Sequence, residues 1–172
     1  TYRLLRRIFD PGSALLTTVT VMVSTPLIYY QFQEPFYSHC ASARALATLV
    51  AAWWRKTRPG KPLAPSAAFA LGALTGLAAL IRTQNILYLA LPLSSAAAAL
   101  WSALRRRDAN GALRSLVGAA CATGSALLVL SPQLATWQVL YGQPFLIPQG
   151  TSFLDWRAPW LPQVVFSPYH GL

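Results

Sequence analysis

The sequence predicts an all-α, polytopic integral membrane protein: about five transmembrane helices followed by an extracytoplasmic tail rich in aromatics and proline. Three observations carry that expectation. The 172 residues are 55% hydrophobic and only 10% charged, against roughly 25% charged in an ordinary soluble domain. The apolar residues gather in runs near the roughly 20 residues that a helix needs to cross a bilayer. The 14 basic residues, set against 4 acids for a net charge of +10, come in short clusters between those runs. Such clusters are topology signals, whereas a nucleic-acid surface concentrates its cations on one face. The lipid bilayer is therefore the expected partner, and nucleic acid is not.

The first span is expected over residues 11–30, with Pro11 suited to the opening turn of a helix. The second covers 36–54, after Glu34-Pro35, and carries Arg44 inside it. The third covers 63–81, the fourth 86–104 and the fifth 113–137. Gly72 and Gly76, four apart in the third span, and Gly118 in the fifth would let helices approach closely. Residues 1–137 thus form a five-span bundle, and 138–172 a truncated interfacial segment. That segment holds seven of the twenty aromatics and five of the thirteen prolines. Its prolines and Asp155-Trp156-Arg157 rule out a sixth crossing. It reads as short interfacial helices and turns anchored at headgroup level by Trp156 and Trp160. The chain starts at Thr1 within the basic stretch TYRLLRR and stops at SPYHGL without a closing helix, so it is expected to be an internal piece of a longer protein.

Basic residues in short loops set the orientation. With five spans, Arg3, Arg6, Arg7, Arg55, Lys56, Arg58, Lys61, Arg105, Arg106, Arg107 and Arg114 all fall on one side. They make up eleven of the fourteen cations. That side, with the N-terminus, is the cytoplasmic one. Cys40 lies near the outer face and Cys121 in the inner half of another span, too far apart to bridge.

Polar groups that could carry chemistry cluster on the outer side. In LIRTQNIL, Arg82 sits between two apolar runs without a topological role. It either snorkels to the outer headgroups or binds a phosphate through its guanidinium. Thr83, Gln84 and Asn85 could add donors at the positive start of the fourth helix. A phosphate at the outer surface would most simply belong to a lipid. Of the four acids, Asp10 and Asp108 lie in cytoplasmic loops as solvated or capping groups. Only Glu34 and Asp155 face outside, where each could act as a general base or bind sugar hydroxyls. Equally, Glu34 could open a helix before Pro35, and Asp155 could pair with Arg157. His39, in the first turn of the second span, and His170 are also outside; a lone histidine more often makes a structural hydrogen bond. No metal-ligand spacing, phosphate loop, dinucleotide fingerprint or nucleophile elbow is present, so neither metal nor cofactor is expected.

Four stretches in order, TPLIYYQFQEPFYSHCASA, GLAALIRTQNILYLALPL, SPQLATWQVLYGQPFLIPQG and FLDWRAPWLPQVVFSPYHGL, resemble bacterial polytopic glycosyltransferases of the GT-C class. The likeness is to the glycosyltransferase family 39-like group, related to protein mannosyltransferases and aminoarabinose transferases. It lies in an aromatic pair followed by Glu34-Pro35 and Ser38-His39, then a turn with Gly76, Leu77, Leu80, Arg82 and Asn85. Pro132-Gln133 near a span end follows, and then a tail with Phe153-Leu154-Asp155-Trp156 and His170-Gly171-Leu172.

The resemblance implies an enzyme of the bacterial inner membrane that takes a sugar from a polyprenyl-phosphate donor on the extracytoplasmic face. The acceptor would be a hydroxyl of a lipid, glycan or protein, with inversion at the sugar carbon. Arg82 would stabilise the departing phosphate. In this class the main catalytic carboxylate lies in the first extracytoplasmic loop, and the chain begins downstream of it. Glu34 and Asp155 are then site-lining residues, and this stretch alone is expected to be inactive. Tyr169 stands where the group has an arginine before His-Gly-Leu. The other reading is a transporter or flippase of lipid-linked or anionic substrates, which needs polar residues at mid-membrane depth. The span interiors are mostly Ala, Leu, Val and Gly, with Arg44 as their one charge.

Overall fold

A computed structural model describes residues 2–24, 38–58 and 60–145. Their regular structure is entirely helical, with no strand among the described residues. The elements are α1 (Tyr2–Leu5), α2 (Pro11–Ser24), α3 (Ser38–Lys56), α4 (Pro65–Ile81), a 3-10 segment (Thr83–Leu89), α5 (Ala90–Arg105) and α6 (Ala109–Tyr141). Local chemistry fixes several of their ends. Asp10 Oδ1 accepts from the backbone N–H of Gly12 at 2.9 Å and Ser13 at 3.1 Å, capping α2. Pro65 opens α4, where a missing N–H costs nothing. At the end of α5, Arg107 N–H donates to Leu104 O and Asp108 N–H to Ala103 O. This Schellman closure places Arg107 at φ +55°, a conformation usually given to glycine. Asp108 then accepts from Gly111 N–H at 2.9 Å and starts α6.

Two helical stretches, Thr83–Arg105 and Ala109–Tyr141, are long and apolar enough to cross a membrane; Pro11–Ser24 and Pro65–Ile81 are apolar but shorter. The last part of the expected first span, residues 25–30, and the first two residues of the second, 36–37, lie outside the described residues. Three boundaries differ from expectation by four residues each. The fourth segment does not begin as an α-helix at Ile86, because Pro92 cannot donate to Tyr88 O and its ring crowds that carbonyl. The chain therefore enters through the 3-10 turn. The fifth helix starts four residues earlier than expected, at the Asp108 cap, and runs on to Tyr141, where Gly142 at φ +72° closes it. Residue 138, expected to open the interfacial tail, is thus still helical.

The chain divides into two compact units, residues 1–132 and 133–172. In the first, small residues make the contacts. A Cβ added to Gly72 would collide with Ala122 O and Ser125 Oγ, and one on Gly76 would stand 2.8 Å from Ala126 O. Ala68 lies against Gly118, Gly72 against Ala122 and Gly76 against Ala126. Steps of four on α4 meet steps of four on α6, so the two helices run parallel with their i±4 rows in contact. Ser125 Oγ donates across this pair to Phe69 O at 2.9 Å. Leu49, Leu63 and Leu71 join Ala68 and Ala122 in the core. Large apolar side chains such as Phe69, Leu77, Trp101, Leu116 and Leu128 point outward.

A second pair follows the same logic. His39 meets Arg82, Ser42 meets Asn85 and Trp53 meets Ser95. Both sequence positions rise together, so α3 and the 3-10–α5 stretch are also parallel. A Cβ on Gly60 would lie 3.4 Å from Ser102 Oγ. That proximity brings the Arg55–Lys61 cations to the same end as Arg105–Arg107, while His39 and Arg82 occupy the opposite end.

Near the end of the first unit, Pro132 leaves Leu128 O without its helical donor. Ser131 Oγ donates to it instead at 2.7 Å. In the second unit, the described residues are the last turns of α6 and the segment up to Phe145. There Gln138 Nε2 donates to Gly142 O at 3.3 Å.

Candidate functional site

The site is built from two short stretches with matching spacing. His39 and Ser42 lie three apart in the first turns of α3, on one face of the helix. Arg82 and Asn85 lie three apart where α4 gives way to the 3-10 segment. Arg82 itself is extended, at φ −147° and ψ 119°, and so ends α4 and turns its side chain toward α3.

Arg82 Nη1 donates to His39 Nδ1 at 2.8 Å. A guanidinium has only donors, so Nδ1 must be the accepting nitrogen and the neutral ring carries its proton on Nε2. Asn85 lies behind this pair. Its Nδ2 donates to Ser42 Oγ at 2.8 Å and to Ala78 O at 2.9 Å, with Asn85 and Ser42 each only 6% exposed. Both amide hydrogens are used within the protein, so Asn85 fixes the turn against two helices and presents no donor to a ligand. Asn85 N–H also donates to Arg82 O at 2.8 Å, closing the turn around the arginine backbone.

The guanidinium is half-buried and, among the described residues, has no carboxylate partner. The two described acids are the helix caps Asp10 and Asp108. Beside it, a groove of about 550 Å³ opens between α3 and α4, lined by Cys40, Ala41, Arg44, Ala45, Leu77 and Ile81 among others. Cys40 and Ile81 are the chain neighbours of His39 and Arg82, so the groove begins where the polar pair ends. Its walls are mainly apolar, with Arg44 and Thr48 as polar exceptions.

Of the residues singled out from the sequence, Arg82, His39 and Asn85 come together. Gln84 and Thr83 stand exposed on the first turn of the 3-10 segment. Glu34, Asp155 and His170 lie outside the described residues. Ser42 was not foreseen. Its signal is the shared spacing of three in His39/Ser42 and Arg82/Asn85, which only a parallel register brings into contact. Cys40 and Cys121 form no disulfide. No protein-family model, characterised protein or solved structure matches the chain.

Proposed function

We propose that this chain belongs to a polytopic membrane glycosyltransferase of the GT-C type, which moves a sugar from a polyprenyl-phosphate donor to a hydroxyl acceptor on the extracytoplasmic face. The observation that carries the proposal is the Arg82 guanidinium, held by the neutral acceptor His39 at the end of an apolar groove. A cation kept beside an apolar channel suits an anion with a long hydrocarbon tail: the phosphate meets Arg82 and the isoprenyl chain lies along α3 and α4.

Membrane residence is supported by the inverted packing, with alanine and glycine at the helix contacts and leucine, phenylalanine and tryptophan facing outward. Five crossings in alternation require the second span to parallel the fourth and the third to parallel the fifth. Both parallel pairs occur, and the clustered cations gather at the end away from Arg82. The bilayer in question is the bacterial inner membrane, with the N-terminal cations cytoplasmic.

In the transfer, the acceptor oxygen attacks the sugar anomeric carbon while the bond from that carbon to the phosphate oxygen breaks. The bond pair leaves with the phosphate, whose growing charge Arg82 offsets. A carboxylate takes the acceptor proton, a role for which the sequence offers Glu34 and Asp155 as candidates. His39 positions Arg82, and Gln84 contacts substrate. Arg44, within the groove, favours a second reading in which the same channel conducts an anionic lipid across the membrane.

Donors of two chain lengths test the assignment in the intact protein. Ala41→Trp, which narrows the groove, should raise KM about tenfold for a long-chain polyprenyl-phosphate sugar, a loss of roughly two methylene contacts at ~0.8 kcal/mol each. A short-chain donor should be unaffected. Equal effects on both donors would remove the groove from the site, and lipid translocation without sugar transfer would select the transporter.

A further inference from the structure

At the opposite end of the same bundle, a second cavity of about 550 Å³ lies between α3 and α5. Trp53, Trp54, Thr57, Arg58, Ser94 and Ala98 line it. Trp53 Nε1 donates to Ser95 Oγ at 2.8 Å, tying the two helices together behind the cavity. The Trp53 and Trp54 rings stand edge to face, 6.4 Å apart, and form an aromatic wall. Thr57 Oγ1 is buried and has no hydrogen-bond partner among the described residues. Such a hydroxyl costs free energy until something meets it. Arg58 stands at the cavity, no acid lines it, and Arg55, Lys56 and Lys61 surround it in sequence.

We infer that this cavity is a binding site for an anionic phospholipid of the cytoplasmic leaflet. Its phosphate would meet Arg58 and the Thr57 hydroxyl, while the start of an acyl chain packs on Trp53, Trp54 and Ala98. Tryptophan belongs at the depth where headgroup meets hydrocarbon, and a basic pocket between helices on the cytoplasmic side selects anionic headgroups. The inference rests on the membrane reading given above but is independent of the transferase reading.

The intact protein reconstituted in phosphatidylcholine vesicles, doped with a minor fraction of brominated lipid, tests it. Bromines quench only nearby indoles. At about 1 M NaCl, where the screening length is about 3 Å, loose surface attraction is suppressed. Brominated phosphatidylglycerol should still quench about fivefold more effectively than brominated phosphatidylcholine, the equivalent of one basic side chain at an anionic surface. The excess should fall away in Arg58→Gln, which removes only an exposed charge, and in Ala98→Phe, which fills the cavity. It should persist in Lys61→Gln, outside the lining. Equal quenching by the two lipids in protein that floats with the vesicles would overturn the site alone, as would an excess unchanged in both variants. Protein that does not float with the vesicles would overturn the membrane reading and the lipid site with it.

Discussion

Arg82 donates to His39 Nδ1 across 43 residues of sequence, joining the end of α4 to the first turn of α3 at 2.8 Å. The contact holds a cation in place by a neutral acceptor, leaving its charge for an anion. Arg82→Ala should lower kcat for sugar transfer by about 10²–10³-fold, the scale for losing one donor to a developing negative charge, with membrane insertion intact. His39→Ala should act more weakly, and His39→Gln, whose amide oxygen can accept, should restore part of the loss. Kinetics on the three variants would check this order.

Asn85 and Ser42 are expected to act as one unit. Truncating Asn85 to Ala takes the amide donor from the buried Ser42 hydroxyl and leaves Ala78 O with the Arg82 backbone N–H alone, at about 1–3 kcal/mol. Ser42→Ala should cost less, because Asn85 keeps Ala78 O. A double-mutant cycle by thermal unfolding in detergent should give a coupling of about 1 kcal/mol; additive effects would contradict the contact.

The glycines of α4 and α6 should separate sharply. Gly72→Ala puts a methyl group into Ala122 O and Ser125 Oγ, so α4 and α6 must part. Destabilisation should exceed about 2 kcal/mol. At Gly118 the nearest atom would be Leu63 O at 3.5 Å, an ordinary contact, so Gly118→Ala should be tolerated. Comparing the unfolding temperatures of the two variants reads the difference directly.

Asp10 gives a pH dependence of known sign. The Ser13 hydroxyl, then the backbone N–H groups of Ser13 and Gly12, hold its carboxyl below the usual value of 3.8. A depressed folded-state pKa contributes stability that is present above 3.8 and lost as pH falls through the lower folded value. The start of α2 should therefore loosen only in strong acid, and Asp10→Asn should remove that step. Amide exchange at Gly12 and Ser13 against pH would show it.

Much of this arrangement was legible in the sequence, for identifiable reasons. The all-helical character followed from long Ala- and Leu-rich runs, and the Gly72/Gly76 contact from the spacing of two small residues. Asp10 and Asp108 were expected as solvated or capping groups, and both cap. The two shifted helix starts were not legible from hydropathy. The early start of α6 depends on Arg107 adopting a left-handed conformation, and the 3-10 entry to α5 on what Pro92 does to a carbonyl four residues back. The partner of Asn85 was hidden for another reason. Asn85 was expected to offer a donor to substrate, yet Ser42 meets it only because α3 and α5 run parallel, and register between helices is not written in either segment alone.

Sidedness of residue 82 tests the central claim most directly. In a background carrying Cys40→Ala and Cys121→Ala, Arg82→Cys and Arg58→Cys can each be probed in whole cells with a membrane-impermeant maleimide. The expected result is labelling at 82 from outside and labelling at 58 only after the cells are opened. Labelling at 82 from the cytoplasmic side alone would contradict the account.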